Sequence, residues 1–210
     1  LCLRHKQRFL IIACLNAAGY QRLLLMLADT QTSFAGTNRS MAVCKTLLKS
    51  TAYKGMPVDN VLSEINKILV EDSPSNMFVT VFYGVLDTRN GTFEYSNGGH
   101  NSPYLISLDG SIKQLANVGG LLLGAIKDVE YESNIVVLKP GESLFFYTDG
   151  ITEAFNNDNE EFQETRLEQI LSNRNGLSVS ELIESVIANV KTFSSGSEQS
   201  DDITCLALKF

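Results

Sequence analysis

The chain has 210 residues, 44 % of them hydrophobic and 20 % charged, and a formal net charge of −7. A normal apolar fraction at this length fits one globular domain and excludes collagen-like, coiled-coil and wholly disordered chains. The acidic balance argues against nucleic acid as the main partner, which would favour a basic face.

The charge is unevenly spread. Residues 1–54 hold eight Lys or Arg and a single acid, Asp29, whereas the remaining 156 residues hold nine bases and 23 acids. Such a step marks a domain boundary or an N-terminal segment with a different history. The stretch RHKQRFLIIACLNAAGYQ resembles a signal peptide, but its run Phe9–Leu15 has seven apolar residues, at the short end for such a region. The alternative is a buried strand or helix of the core. Neither this run nor Leu23–Ala28 approaches the ~20 apolar residues that cross a bilayer, so no membrane span is expected. Cys2, Cys14, Cys44 and Cys205 are scattered, with no C-x-x-C pair. They read as reduced, mostly buried thiols of a cytoplasmic protein.

In chain order, Ser40–Ala52 predicts a helix, with Met41, Val43, Cys44, Leu47 and Leu48 on one stripe. VDNVLSEINKILVED predicts a second, with Asp59 as its N-cap. The texture then turns to strands. Met77–Asp87 is rich in β-branched and aromatic residues, and Asn90-Gly91 turns it into TFEYSN. PYLISLDGSIKQLA reads as a hairpin around Asp109-Gly110, and SNIVVLKPGESLFFYTDG as two strands joined by Pro140-Gly141. Helical spacing returns in ETRLEQILSN and SVSELIESVIANVKTF, where Ser178 and Glu181 form a capping-box pattern. ITCLALKF is a final strand. Antiparallel hairpins with helices grouped before and after them indicate an α+β fold.

Two acidic spots fall at the ends of very apolar strands. Asp149-Gly150 closes LFFYTDG, and Asp201-Asp202 opens DDITCLALKF. Carboxylates gathered at one rim of a sheet repel one another unless a cation neutralises them, so they read as ligands for a hard metal. Taken alone, TDG also reads as a turn and SDD as a solvated loop. In SNGGHNSPYL the glycines and flanking asparagines predict a tight turn at Gly99 that presents His100 and Asn101. With no nucleophile or base identifiable nearby, His100 reads better as a hydrogen-bonding residue of that turn than as a catalyst.

MFVTVFYGVLDTRNGTFEYSNGGHNSPYL, GGLLLGAIKDVEYE, LKPGESLFFYTDGITEAFN, EEFQETRLEQIL and SDDITCLALKF follow one another here with a familiar order and spacing. Together they resemble the SpoIIE/RsbU-like branch of the PPM (type 2C) metal-dependent serine/threonine phosphatases, over residues 41–210. The resemblance implies a four-layer α/β/β/α sandwich of two antiparallel sheets flanked by helices. It also implies hydrolysis of a phosphoserine or phosphothreonine by water activated at two Mn²⁺ or Mg²⁺ ions, without a covalent phosphoenzyme. Carried over by position, Asp149 and Asp201 match catalytic metal ligands, Gly150 accompanies Asp149 at the metal, and Asp202 is a ligand or a close neighbour of one. The substrate implied is a STAS-type anti-anti-sigma factor, with a sensor or receiver domain upstream.

Upstream the pattern breaks. The family's GGD-like strand is absent, and its GD-V-S-G-K-G loop is replaced around LADTQTSFAG, where only Asp29 matches a metal-bridging acid. Residues 1–40 therefore read as an atypical basic and apolar segment, leaving the N-terminal part of the fold incomplete, and residues 41–210 as the phosphatase domain. A chain short of acids would hold its ions weakly. The competing reading is an impaired phosphatase fold that binds a phosphoprotein or kinase without turnover.

Overall fold

A computed structural model describes residues 2–4, 9–17, 20–29, 44, 46–48, 50–51, 56–72, 78–173, 176–199 and 202–210. The described residues form ten strands: β1 (Cys2–Arg4), β2 (Phe9–Ala17), β3 (Tyr20–Asp29), β4 (Thr80–Asp87), β5 (Thr92–Gly98), β6 (Tyr104–Ile106), β7 (Ile112–Gln114), β8 (Ser133–Val137), β9 (Ser143–Tyr147) and β10 (Cys205–Lys209). The helices are α1 (Val58–Asp72), the single turn α2 (Asp149–Thr152), α3 (Gln163–Ser172) and α4 (Val179–Phe193). The described residues between 44 and 51 are also helical, as the Ser40–Ala52 stripe predicts. Strands pair into two five-stranded antiparallel sheets, and the chain divides into two compact units that each contain one of them.

The first unit, residues 9–100 and 116–138, holds the sheet ordered β2-β3-β4-β5-β8. The apolar run read as a signal-like segment forms β2, in register with β3 from Phe9↔Ala28 to Ala17↔Tyr20. Helix α1 buries Val58, Val61, Leu62, Ile65 and Leu69 against Val79, Val81 and Tyr83 of the sheet. Their three- and four-residue spacing sets one stripe of the helix toward alternate residues of the strand. On the other face of the same strands Phe82, Phe93 and Tyr95 stack, with ring centroids 5.3–6.4 Å apart. The helix start differs from expectation. Val61 N–H donates to the Pro57 carbonyl at 3.1 Å, so the helix opens at the proline and Asp59 sits inside its first turn. There its carboxylate accepts the Asn60 N–H at 2.8 Å, near the positive end of the helix dipole.

The second unit, residues 1–8, 101–115 and 139–210, holds the sheet ordered β1-β10-β9-β6-β7. Helices α3 and α4 pack on one face, where Leu167, Leu182, Ile183 and Val186 meet Phe145, Tyr147, Cys205 and Ala207. The opposite-facing Leu144, Phe146, Leu206 and Leu208 are buried as well. Burial on both faces explains why β9 and β10 read as continuous apolar runs rather than alternating ones. Helix α4 starts with the expected capping box: Glu181 N–H donates to Ser178 Oγ at 3.3 Å, and Ser178 N–H to Glu181 Oε2 at 2.8 Å. The strands flanking Pro140-Gly141 are not partners. β8 pairs with β5, while β9 pairs with β6 and β10, so this connection passes from one sheet to the other. The architecture is α+β, two antiparallel sheets with helices against them.

Candidate functional site

Residue 149 owes its position to a buried strand that stops abruptly. All five residues of β9 are buried, Thr148 takes an extended conformation, and Asp149 begins the one-turn helix α2. The TDG sequence is thus a strand-to-helix corner rather than a plain turn. Asp149 is half-buried, and its Oδ1 accepts the Gly150 N–H at 2.9 Å while Gly150 itself is buried. Its main-chain carbonyl accepts the Glu153 N–H at 2.7 Å and the Thr152 hydroxyl at 3.2 Å, which holds the corner closed.

Thr148, which the sequence reading overlooked, ties this corner to the start of β10. Its N–H donates to the Thr204 carbonyl at 3.0 Å, and its Oγ1 donates to the Asp202 carbonyl at 3.0 Å and accepts the Thr204 N–H at 3.1 Å. The two acidic spots of the sequence therefore adjoin at one end of one sheet. Asp202 is half-buried there, and Asp201 lies outside the described residues. The Thr204 hydroxyl is buried and meets no hydrogen-bond partner among the described residues. The signal for Thr148 was available: a threonine closing an apolar strand next to an acid has few roles besides capping and cross-strand bonding.

Behind Asp149 two tyrosines brace the sheet against helix α3. Tyr147 and Tyr104 stack with centroids 5.7 Å apart, and the Tyr104 hydroxyl donates to Glu168 on α3 at 3.0 Å. Burial pushes both phenols above their ordinary range, with the neighbouring ring and Glu168 raising Tyr104 further. Asn101, one of the expected turn residues, is half-buried and hydrogen-bonds Tyr147.

The other expected residues fall in the first unit. Gly99 has φ +77°, which favours glycine, and a Cβ there would sit 3.1 Å from the Leu122 amide nitrogen. His100 is buried, its Nδ1 3.1 Å from Thr80 Oγ1. Asn97 closes the turn: its Oδ1 accepts the His100 N–H at 2.8 Å and its Nδ2 donates to the His100 carbonyl at 2.8 Å. Sequence reasoning took the asparagines flanking the glycines as turn signals and named His100 and Asn101 as presented, without assigning Asn97 as the residue that closes the turn. Asp29 ends β3 with its Cα paired to that of Thr80, and its side chain lies outside the described part of the structure.

The donors at the Asp149 end are carboxylate and main-chain oxygens, the chemistry of Mg²⁺ or Mn²⁺ rather than of a thiolate zinc site. Cys205 points into the helix-facing core, and the Cys44 thiol, pushed up to about 12 by burial, is inert near neutral pH. Among the described residues no group of three or more His, Cys, Asp and Glu is gathered for a metal. In kind, then, the oxygen donors of Asp149, Gly150 and Asp202 fit a hard cation that keeps several of its waters.

Comparison with known proteins gives this corner its context. The family model described as Stage II sporulation protein E (SpoIIE) matches residues 20–210. Protein IcfG of Synechocystis sp. is 26 % identical over 217 residues, covering 90 % of this chain and 34 % of its own length. The phosphoserine phosphatase RsbU of Bacillus subtilis is 25 % identical over 114 residues, covering 54 % of this chain and 34 % of its own length. The chain thus spans about a third of the length of these curated relatives. Among solved structures, the SiaA-PP2C domain of Pseudomonas aeruginosa superposes with a TM-score of 0.84 at 18 % identity, over 100 % of this chain and 85 % of that one. Fold and family agree: the chain belongs to the SpoIIE family, and its fold is that of PP2C phosphatase domains.

Proposed function

We propose that this chain is a phosphatase domain that hydrolyses phosphoserine or phosphothreonine on a regulatory protein, with divalent cations held at the Asp149 corner. The observation that carries this reading is the Thr148 Oγ1 bond to the Asp202 carbonyl, which joins the two acidic strand ends within one sheet. Asp149 and Asp201 are the proposed ligands and catalytic carboxylates, Gly150 accompanies Asp149 through its backbone, and Asp202 ligates or orients its neighbour. Asp29 is added on the resemblance alone. Mn²⁺ or Mg²⁺, when bound, supplies Lewis acidity toward a phosphoryl oxygen and lowers the pKa of water. The chain's own residues supply rigidity. A half-buried carboxylate on a strand end locked by Thr148 spends little reorganisation on meeting charge.

Residues 41–210 are proposed as the chemical domain, with residues 1–40 contributing strands rather than ligands apart from Asp29. The Gly99–His100–Asn101 turn acts as scaffold. The partner proposed is a phosphorylated STAS-type regulator, with a sensor or receiver domain elsewhere in the protein and a cytoplasmic location. Among the described residues no helix is long and apolar enough to cross a membrane.

The upstream departure, TQTSFAG where the family carries a glycine- and lysine-rich loop, favours one second reading: a phosphatase fold that binds its phosphoprotein or kinase without turnover. Hydrolysis of p-nitrophenyl phosphate in Mn²⁺ separates the two. Activity that Asp149→Ala removes supports the enzyme. Inactivity of the unaltered chain, with retained binding of a phosphorylated STAS protein, supports the second reading.

A further inference from the structure

Strand β8 ends its sheet, and among the described residues β5 is the one strand paired with it. The Leu138 N–H donates to the Gly91 carbonyl at 2.9 Å. By strand alternation the amides of Asn134, Val136 and Leu138 then face β5, and those of Ser133, Ile135 and Val137 face away from it. Ile135 and Val137 are 60 % and 59 % exposed. A long-lived edge strand is normally blunted by a lysine, a proline or a bulge, and SNIVV has none of these within it. Its one protecting feature is Asn134, whose Oδ1 occupies the outward Ile135 N–H at 2.8 Å.

We propose that β8 is a self-association edge, at which two copies of this chain pair antiparallel about a two-fold axis centred on Val136. Two features select a second copy as occupant. With apolar side chains at 135 and 137, that axis sets Ile135 of each copy opposite Val137 of the other. Such β-branched cross-strand pairs stabilise a ladder. Charge gives the direction. Glu130 and Glu132 precede the strand and Lys139 follows it. Antiparallel pairing brings Lys139 of one copy beside Glu132 of the other, whereas parallel pairing would set the two lysines and the two pairs of glutamates side by side. The contact is isologous and closes on itself. A ladder of five residues buries less than the ~800 Å² per partner of a stable complex, so the dimer is weak and concentration-dependent.

Sedimentation of the chain from about 1 to 200 μM reads this directly, since weak homodimers populate across such a range. The expected result is a reversible monomer–dimer equilibrium. Val137→Pro weakens it at least tenfold, because proline removes an outward donor while sparing the ladder to β5. Ile135→Lys, which leaves the backbone alone, weakens it likewise and carries the same reading if the proline alters the fold. Asn134→Ala, by freeing the Ile135 amide, tightens it severalfold. A chain that stays monomeric throughout, Asn134→Ala included, overturns the proposal. So does a dimer indifferent to Ile135→Lys and Val137→Pro.

Discussion

At the end of β9 the candidate residues are half-buried acids on a strand corner; at the end of β5 they are buried, mostly neutral groups that close a turn. Asp149 and Asp202 are half-buried acids beside the Thr148 corner, whereas Asn97 and Thr80 are hydrogen-bonded to His100. The two ends differ in what a substitution should cost. A buried group that closes a turn contributes stability, and an acid at a proposed ligand position contributes binding.

The most severe test of that contrast is Gly120→Ala. A Cβ at Gly120 would collide with the Asn97 main-chain carbonyl, so the backbone must shift to admit it. A loss of about 3 kcal/mol or more in urea unfolding is expected, and a loss under about 1 kcal/mol would mean that the turn is looser than its packing indicates. Next is the pair Asn97→Ala and Asp149→Asn. Removing Asn97 strands a buried His100 N–H and carbonyl and should cost about 2 kcal/mol. Asp149→Asn keeps the side chain's shape, so its unfolding midpoint should move by less than about half as much. Equal costs would erase the distinction between the two ends.

The smallest effect lies in the helices. Ser178→Ala removes the cap of α4 and should cost about 1 kcal/mol. Its partner gives a pH signature. The Ser178 hydroxyl and N–H hold the Glu181 carboxyl below its ordinary range. A carboxyl lowered in the folded state stabilises fully above its unfolded pKa of about 4.3, and that contribution fades as pH falls through the lowered folded value. The difference between the native chain and Ser178→Ala should therefore shrink on acidification below pH ~4 in thermal melts.

Legibility in the sequence followed the range of the interaction. The capping box at Ser178 and Glu181 and the stripe of α1 were readable because their partners lie three or four residues apart. The Asn90-Gly91 and Asp109-Gly110 turns were readable for the same reason. The destination of β8 was not, since Pro140-Gly141 looks locally like any hairpin, and the choice of β5 over β9 is made by packing far along the chain. Residues 2–29 were legible as apolar runs but not as strands of two different sheets, because charge composition says nothing of pairing. At the site, Asp149 and Asp202 stood out as acids beside apolar runs. Thr148 carried a local signal, a threonine closing an apolar strand beside an acid, but not its bond to a carbonyl 54 residues on, and Asn97 was visible as a flanking asparagine but not as the residue that closes the turn.

The central claim is that the β9 and β10 ends grip a divalent cation through residues 149 and 201. Calorimetric titration of Mn²⁺ into the chain, Asp149→Asn and Asp201→Asn tests it without reference to any substrate. The account predicts saturable binding to the unaltered chain, weakened at least ~10-fold by either substitution. Identical isotherms for all three proteins would contradict it.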